Sequence, residues 1–258
     1  YAGVASGTGN LTTTGGQLTL TGANTYSGGT TLTGGTLQIG DGGTTGSITG
    51  NITNNSALVY NRSNGITQGN IISGTGTLEQ AGTGTLTLTG ANTYTGGTTI
   101  SAGTLQIGAG GTTGSIVGNI TNNSALVFDR SDDLAQGTVI SGSGTLEQAG
   151  TGNTTLSGAN TYTGATTVSD GTLTLAHNNA LGSAAAGTTV DSGATLALTN
   201  NINVAGEAVT NNGTVTNTSG TNTFGGVISG TGDVDVVTGN LTLSNTNTYS
   251  GDTTVYSG

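Results

Sequence analysis

Apolar and polar side chains alternate along this chain in short runs. Thr85-Leu86-Thr87-Leu88-Thr89, Thr36-Leu37-Gln38-Ile39 and Thr195-Leu196-Ala197-Leu198 all follow this pattern. In an extended backbone successive side chains point to opposite faces, so each run places its aliphatic residues on one side. The runs end in Gly-Gly, Asn-Gly or Asn-Asn, pairs that tolerate the positive φ of tight turns. This punctuation predicts an all-β chain of many short strands. Only Ala180 to Ala186 has helical character, and it reads as a loop or a single short helix.

The strands belong to a repeat. The segment Gly22 to Tyr60 returns at Gly90 to Phe128 with 32 of 39 positions identical. The same interval separates Tyr26 from Tyr94 and Tyr94 from Tyr162, whereas Tyr249 follows Tyr162 after a longer one. Similarly, Asn122-Asn123 recurs as Asn211-Asn212 after a longer interval. If the shorter interval is three coils of roughly 22 residues, the longer is four, and the added length is one whole coil. Such an insertion leaves its flanking repeats in register, as expected of a solenoid rather than a string of separate domains. The sequence therefore predicts one parallel β-helix over 1–258, with about 11–12 coils of roughly 22 residues. Its repeats fall at 4–71, 72–139, 140–227 with the extra coil, and a partial copy at 228–258. Each coil has too few aliphatic residues for a conventional core. Stacking coils about 4.8 Å apart would join those residues into continuous rows and pair every backbone with its neighbours. Thr suits the outward strand positions.

Composition narrows the chemistry. Gly (51) and Thr (58) make up more than two in five of the 258 residues. Gly-rich polar chains are often disordered, but here Pro is absent, the mean hydropathy is −0.04 and the alternation is regular. The absence of Cys excludes disulfides and thiolate sites. With two Arg, no Lys and a net charge of −10, the chain is poorly suited to nucleic acid or to an anionic membrane surface. No apolar run approaches the roughly 18 residues of a membrane-spanning helix, and the start lacks a signal-peptide pattern. Any signal or anchor of a parent protein is expected outside this chain.

The run G-A-N-T-Y-S/T-G-G-T-T-L/I-x-x-G-T-L-Q-I-G stands at Gly22 to Gly40 and at Gly90 to Gly108. It resembles the passenger-associated transport repeat of bacterial autotransporters. A third copy, Gly158 to Leu175, departs at Ala165 and at Thr174-Leu175; a fourth begins at Asn247. The stretch from Gly171 through Leu198 is similar to the linking coils of such passengers. This resemblance implies a right-handed β-helix, exported through the outer membrane by a C-terminal β-barrel of the same parent protein. It further implies a non-enzymatic stalk at the cell surface, anchored or released, that supports secretion and adhesion or cell aggregation. Host or bacterial surface glycans, proteins or other copies of the chain would be its partners. A chain without Cys and with few charges fits passage unfolded through a narrow pore. Two alternatives use other features: a self-assembling fibre subunit through strand edges at Tyr1 and Gly258, and a carbohydrate-active or ice-binding β-helix.

Candidate chemistry is sparse. Asp129, Asp132 and Asp133 surround Arg130, and a glycosidase needs two carboxyl groups about 5 to 10 Å apart. The preceding repeat has Asn61, Arg62, Ser63, Asn64 and Gly65 at these positions. The carboxylates thus vary where the repeat does not, and a solvated loop with Arg130 paired to Asp132 or Asp133 is expected. Arg62 and Arg130 lie one repeat apart, too distant to serve one polysaccharide-lyase site. His177 has only Asp170 and Asp191 as distant potential partners and reads as an exposed loop residue. Glu79 and Glu147 share one repeat position, with Asp235 as a later counterpart, and are expected to point outward. The Gly-x-Gly run at Gly74 to Leu78 precedes no helix and is no phosphate loop. Tyr26, Tyr94 and Tyr162 would either pack at coil corners or form an aromatic ladder for sugars. No catalytic, cofactor-binding or metal-ligating residue is assigned.

Overall fold

Short strands separated by glycine turns form here because each strand finds its pairing partner about 20 residues away rather than in a distant sheet. The computed structural model describes residues 1–256. It is an all-β parallel solenoid of about 12 turns, about 20 residues apart. The segment 180–186 is turn and irregular backbone, without a helix. The chain divides into two compact units, residues 1–109 with 113–126, and 110–112 with the residues from 127 onward.

In the first unit a coil consists of three strands, as in Ile52–Asn54, Ala57–Tyr60 and Ile66–Gln68. The next coil repeats them as Ile72–Ser73, Thr77–Gln80 and Thr85–Leu88, each parallel to its predecessor. Registers stack Leu18, Leu37, Leu58 and Leu78 in one inward row and Leu20, Ile39, Tyr60, Gln80 and Ile100 in another. In the second unit Leu173, Leu196, Val215 and Val234 form such a row, beside Leu156, Leu175, Leu198 and Asn217. Between them, Thr155, Thr174, Ala197, Thr216 and Asp235 fill the alternate strand positions. The predicted alternation and core rows are therefore present.

Coil length is where the structure departs from the sequence reading. Register steps are as short as Thr85 to Thr104 and as long as Thr172 to Thr195. With coils about 20 residues apart, the interval from Gly22 to Gly90 is longer than three coils. In the first unit, three steps from Thr30 lead through Ile52 and Ile72 to Thr93. The repeat equivalent of Thr30 is instead Thr98, further along the chain and paired with Leu78 on the next strand of the coil. In the second unit, four steps from Thr166 pass Thr188, Val209 and Ile228 to Thr248, while the equivalent Thr253 lies one strand further, beside Val234. The sequence repeat thus equals three coils plus one strand in the first unit, and four plus one in the second. The longer interval holds one more coil than the shorter, but equivalent residues do not stack in phase. The reason is physical: pairing fixes strand positions, and loops of differing length between strands are tolerated as long as the strands realign.

Candidate functional site

The repeated Gly-Ala-Asn-Thr-Tyr segment forms a corner outside the regular strands. Here the backbone turns away from its neighbours, and a side chain supplies the missing pairing. Asn92 Oδ1 accepts from Ile72 N–H of the preceding coil at 2.8 Å, and Asn92 Nδ2 donates to Ser115 O of the following coil at 2.9 Å. Asn24 makes the same pair with Ala5 N and Ser47 O, at 2.8 and 2.9 Å. Asn160 does so with Ile140 N and Ala180 O, at 2.8 and 2.7 Å. All three asparagines are buried. A primary amide, with one acceptor and two donors, is suited to bridge three coils at once.

Two residues on, Tyr26, Tyr94 and Tyr162 are buried too, and their hydroxyls meet Thr30, Thr98 and Thr166 at 2.6, 2.6 and 2.7 Å. Burial pushes each phenol's pKa up, opposed by the threonine hydrogen bond. Corner packing is therefore correct, and the aromatic ladder for sugars is overturned because the rings lie inside.

The glycines after the tyrosine have separate roles. A Cβ on Gly96 would lie 2.5 Å from the Gly76 backbone, and one on Gly164 2.2 Å from Gly144 O. This position is Gly in all four copies, at Gly28, Gly96, Gly164 and Gly251. The following residue has φ +87° in Gly29 and +88° in Gly97, yet it becomes Ala165 and Asp252 in the later copies, which lack positive φ. Close approach to the coil below is kept, whereas the left-handed turn is optional.

A related arrangement without tyrosine lies inside a regular strand, Thr221–Phe224, where the sequence reading has no aromatic repeat to follow. Asn222-Thr223-Phe224 places Asn222 Oδ1 2.7 Å from Ile202 N, again accepting from the preceding coil. Phe224 has no hydroxyl, and the residue four places on is Ile228 rather than Thr; both are fully buried. The polar pair of the corners is here replaced as a unit. Also missed was Glu207, 3 % exposed, which accepts from Thr188 Oγ1 at 2.7 Å. Burial raises its carboxyl pKa, with the Thr188 bond acting in the opposite direction. It lies in a segment without a repeated counterpart, so periodicity could not single it out.

The residues singled out from sequence have local partners. Arg130 engages Asp132 through Nε and Nη2, both at 2.8 Å, and donates to Thr112 O at 2.9 Å. Asp133 is exposed. The expected ion pair is present, formed with Asp132. Arg62 donates to Thr44 O at 2.6 Å, to Gly46 O at 2.5 Å and to Asn64 Oδ1 at 2.8 and 3.0 Å; partial burial lowers its pKa. Each arginine thereby ties an outlying loop to its coil. His177 is half-buried rather than exposed, and its Nδ1 accepts from Asn179 N at 3.0 Å to close a turn. Glu79 and Glu147 accept from Ser101 and Ser169 of the next coil, at 2.6 and 2.7 Å. Among the described residues no three His, Cys, Asp or Glu side chains are grouped so as to hold a metal ion.

The family profile of the passenger-associated-transport-repeat matches residues 4–39, 78–107, 146–175 and 238–258. Each match contains one Asn-Thr-Tyr corner, and Asn222 lies outside them. No characterised protein and no solved structure matches the chain. Four such repeat matches along a parallel β-solenoid are consistent with an autotransporter passenger domain.

Proposed function

We propose that this chain is a non-enzymatic passenger stalk, displayed at the bacterial surface and supporting secretion and adhesion or cell aggregation. Its partner within the parent protein would be a C-terminal outer-membrane β-barrel, and its contacts outside the cell would be surface glycans or proteins. The observation that carries this reading is the buried asparagine rung. Asn24, Asn92 and Asn160 each wait on an amide from the coil before and a carbonyl from the coil after. Each coil therefore completes the polar groups of its predecessor, so the fold can grow by successive addition as a chain emerges from a pore. Among the described residues the loops provide an ion pair and turn closures, and no three His, Cys, Asp or Glu side chains converge.

The test uses intact source cells. Antibody to this chain should label unpermeabilised cells, external protease should remove the label, and cells lacking the gene segment should clump or attach less. Label that requires permeabilisation would overturn surface display. Unchanged attachment and clumping would overturn the adhesive part alone.

A further inference from the structure

The loop that follows Tyr60 holds an Asn-Gly step, Asn64-Gly65, where the next repeat has Asp132-Asp133. In the later copy, Arg130 Nε and Nη2 clamp the two Asp132 carboxylate oxygens at 2.8 Å each. In the earlier copy, Arg62 Nε and Nη2 converge on one atom, Asn64 Oδ1, at 3.0 and 2.8 Å. We propose that Asn64 is a site of spontaneous deamidation, and that the resulting aspartate recreates in the first unit the ion pair seen at Arg130.

The chemistry needs only water. Gly65 N, on losing its proton, attacks Asn64 Cγ; the Cγ–Nδ2 bond breaks and ammonia leaves, giving a succinimide. Water then opens the ring to a carboxylate, so amide plus water becomes carboxylate plus ammonium. Three features favour this at Asn64. Gly65 carries no side chain to obstruct the attack. Gly65 N–H donates no hydrogen bond among the described residues, and both residues are exposed. The Arg62 guanidinium sits where negative charge develops on Oδ1, as an oxyanion donor would.

The other Asn-Gly step, Asn212-Gly213, is held differently. Gly213 N donates to Asn211 Oδ1 at 3.2 Å, and Asn211 is fully buried. The nucleophile is engaged, so this site is an internal control.

Trypsin cuts after Arg62 and Arg130, placing Asn64 and Asn212 in separate peptides, 63–130 and 131–258. The folded chain should be aged in mildly alkaline buffer, digested, and fragmented to locate each gain of about 1 Da. Asn64 should convert several-fold faster than Asn212, and the two rates should converge in denaturant. Equal rates in the folded chain would overturn the proposal. Arg62→Lys keeps the cleavage site but loses the two-pronged contact, and should slow conversion several-fold; an unchanged rate would overturn the role given to Arg62. Asn64→Asp should melt at or above the parent temperature, and a clear fall would overturn the predicted ion pair.

Discussion

The Asn-Thr-Tyr corners and the arginine loops recur with the same period but differ in how strictly they are copied. Asn24, Asn92 and Asn160 make the same two inter-coil bonds at nearly identical lengths. Arg62 and Arg130, by contrast, clamp an amide in one copy and a carboxylate in the other. The corner is dry and the loop is wet. A buried donor or acceptor left unpaired costs about 1–3 kcal/mol, whereas an exposed ion pair contributes about 0–1 kcal/mol. What is repeated faithfully here is what water cannot replace.

The largest expected effect tests that difference directly. Asn160→Ala strands Ile140 N and Ala180 O, both on buried residues, and should cost about 3 kcal/mol. Arg130→Gln should cost less than about 1 kcal/mol. Urea unfolding of the two variants measures both. If the two losses are equal, solvent reaches the corner and the distinction between dry and wet repeats fails.

The two glycines after Tyr94 sharpen the comparison within a single corner. Gly96→Ala drives a methyl group into the Gly76 backbone and should cost about 2–3 kcal/mol. Gly97→Ala has to relieve a φ of +88° and a milder Cβ contact, 3.1 Å from Asn119 O; its counterpart Ala165 avoids the positive φ, and the change should cost about 1 kcal/mol. Thermal unfolding should rank them in that order. The reverse ranking would mean that the turn, not the close approach, holds the coils together.

Much of this fold was legible because a solenoid writes its interior into short alternating runs. Thr85 to Leu88 and Thr36 to Ile39 were readable as half-buried strands from their own alternation. The phase of the repeat was not readable. The excursion from Gly40 to Asn51 makes the step from Thr30 to Ile52 longer than the next, from Ile52 to Ile72, and nothing in the spacing of tyrosines shows that Thr98 pairs with Leu78. The corner was half legible: Tyr94 drew notice as an aromatic, whereas Asn92, among so many surface asparagines, did not. Its bonds run to Ile72 and Ser115, whose nearness is a product of coil length. Glu207 was illegible because a lone carboxylate in a polar chain looks exposed, and its partner Thr188 is brought to it only by the stacking of coils.

The paired change beside Asn222 supplies a finer test. Tyr94→Phe leaves the buried Thr98 hydroxyl without its partner, at about 1 kcal/mol. Thr98→Ile alone strands the phenol at a similar cost. The double variant reproduces the Phe224 and Ile228 combination and should recover about half of the summed loss, a coupling of about 1 kcal/mol in a double-mutant cycle. Simple additivity would show that the two groups reach water and that the corner interior is not dry.

Glu207 is the exception that breaks the rule from the other side, since it is a buried group able to carry charge and has one hydrogen-bond donor, Thr188. Its carboxyl pKa is raised in the folded chain by burial, above the value of about 4.3 expected when unfolded. The folded state therefore binds the proton more tightly. Stability from this group is greatest in acid, where both states are protonated. It falls as pH rises from the unfolded pKa through the raised folded one, and stays lower beyond it. Glu207→Gln keeps an oxygen to accept from Thr188 and removes the charge. It should leave stability in acid nearly unchanged and raise it near neutral pH by on the order of 1 kcal/mol. Urea unfolding of both proteins at an acid and a neutral pH measures this. Parallel pH dependence would mean that the Glu207 charge is solvated in the folded state, and burial alone would then no longer explain which polar groups the repeat preserves.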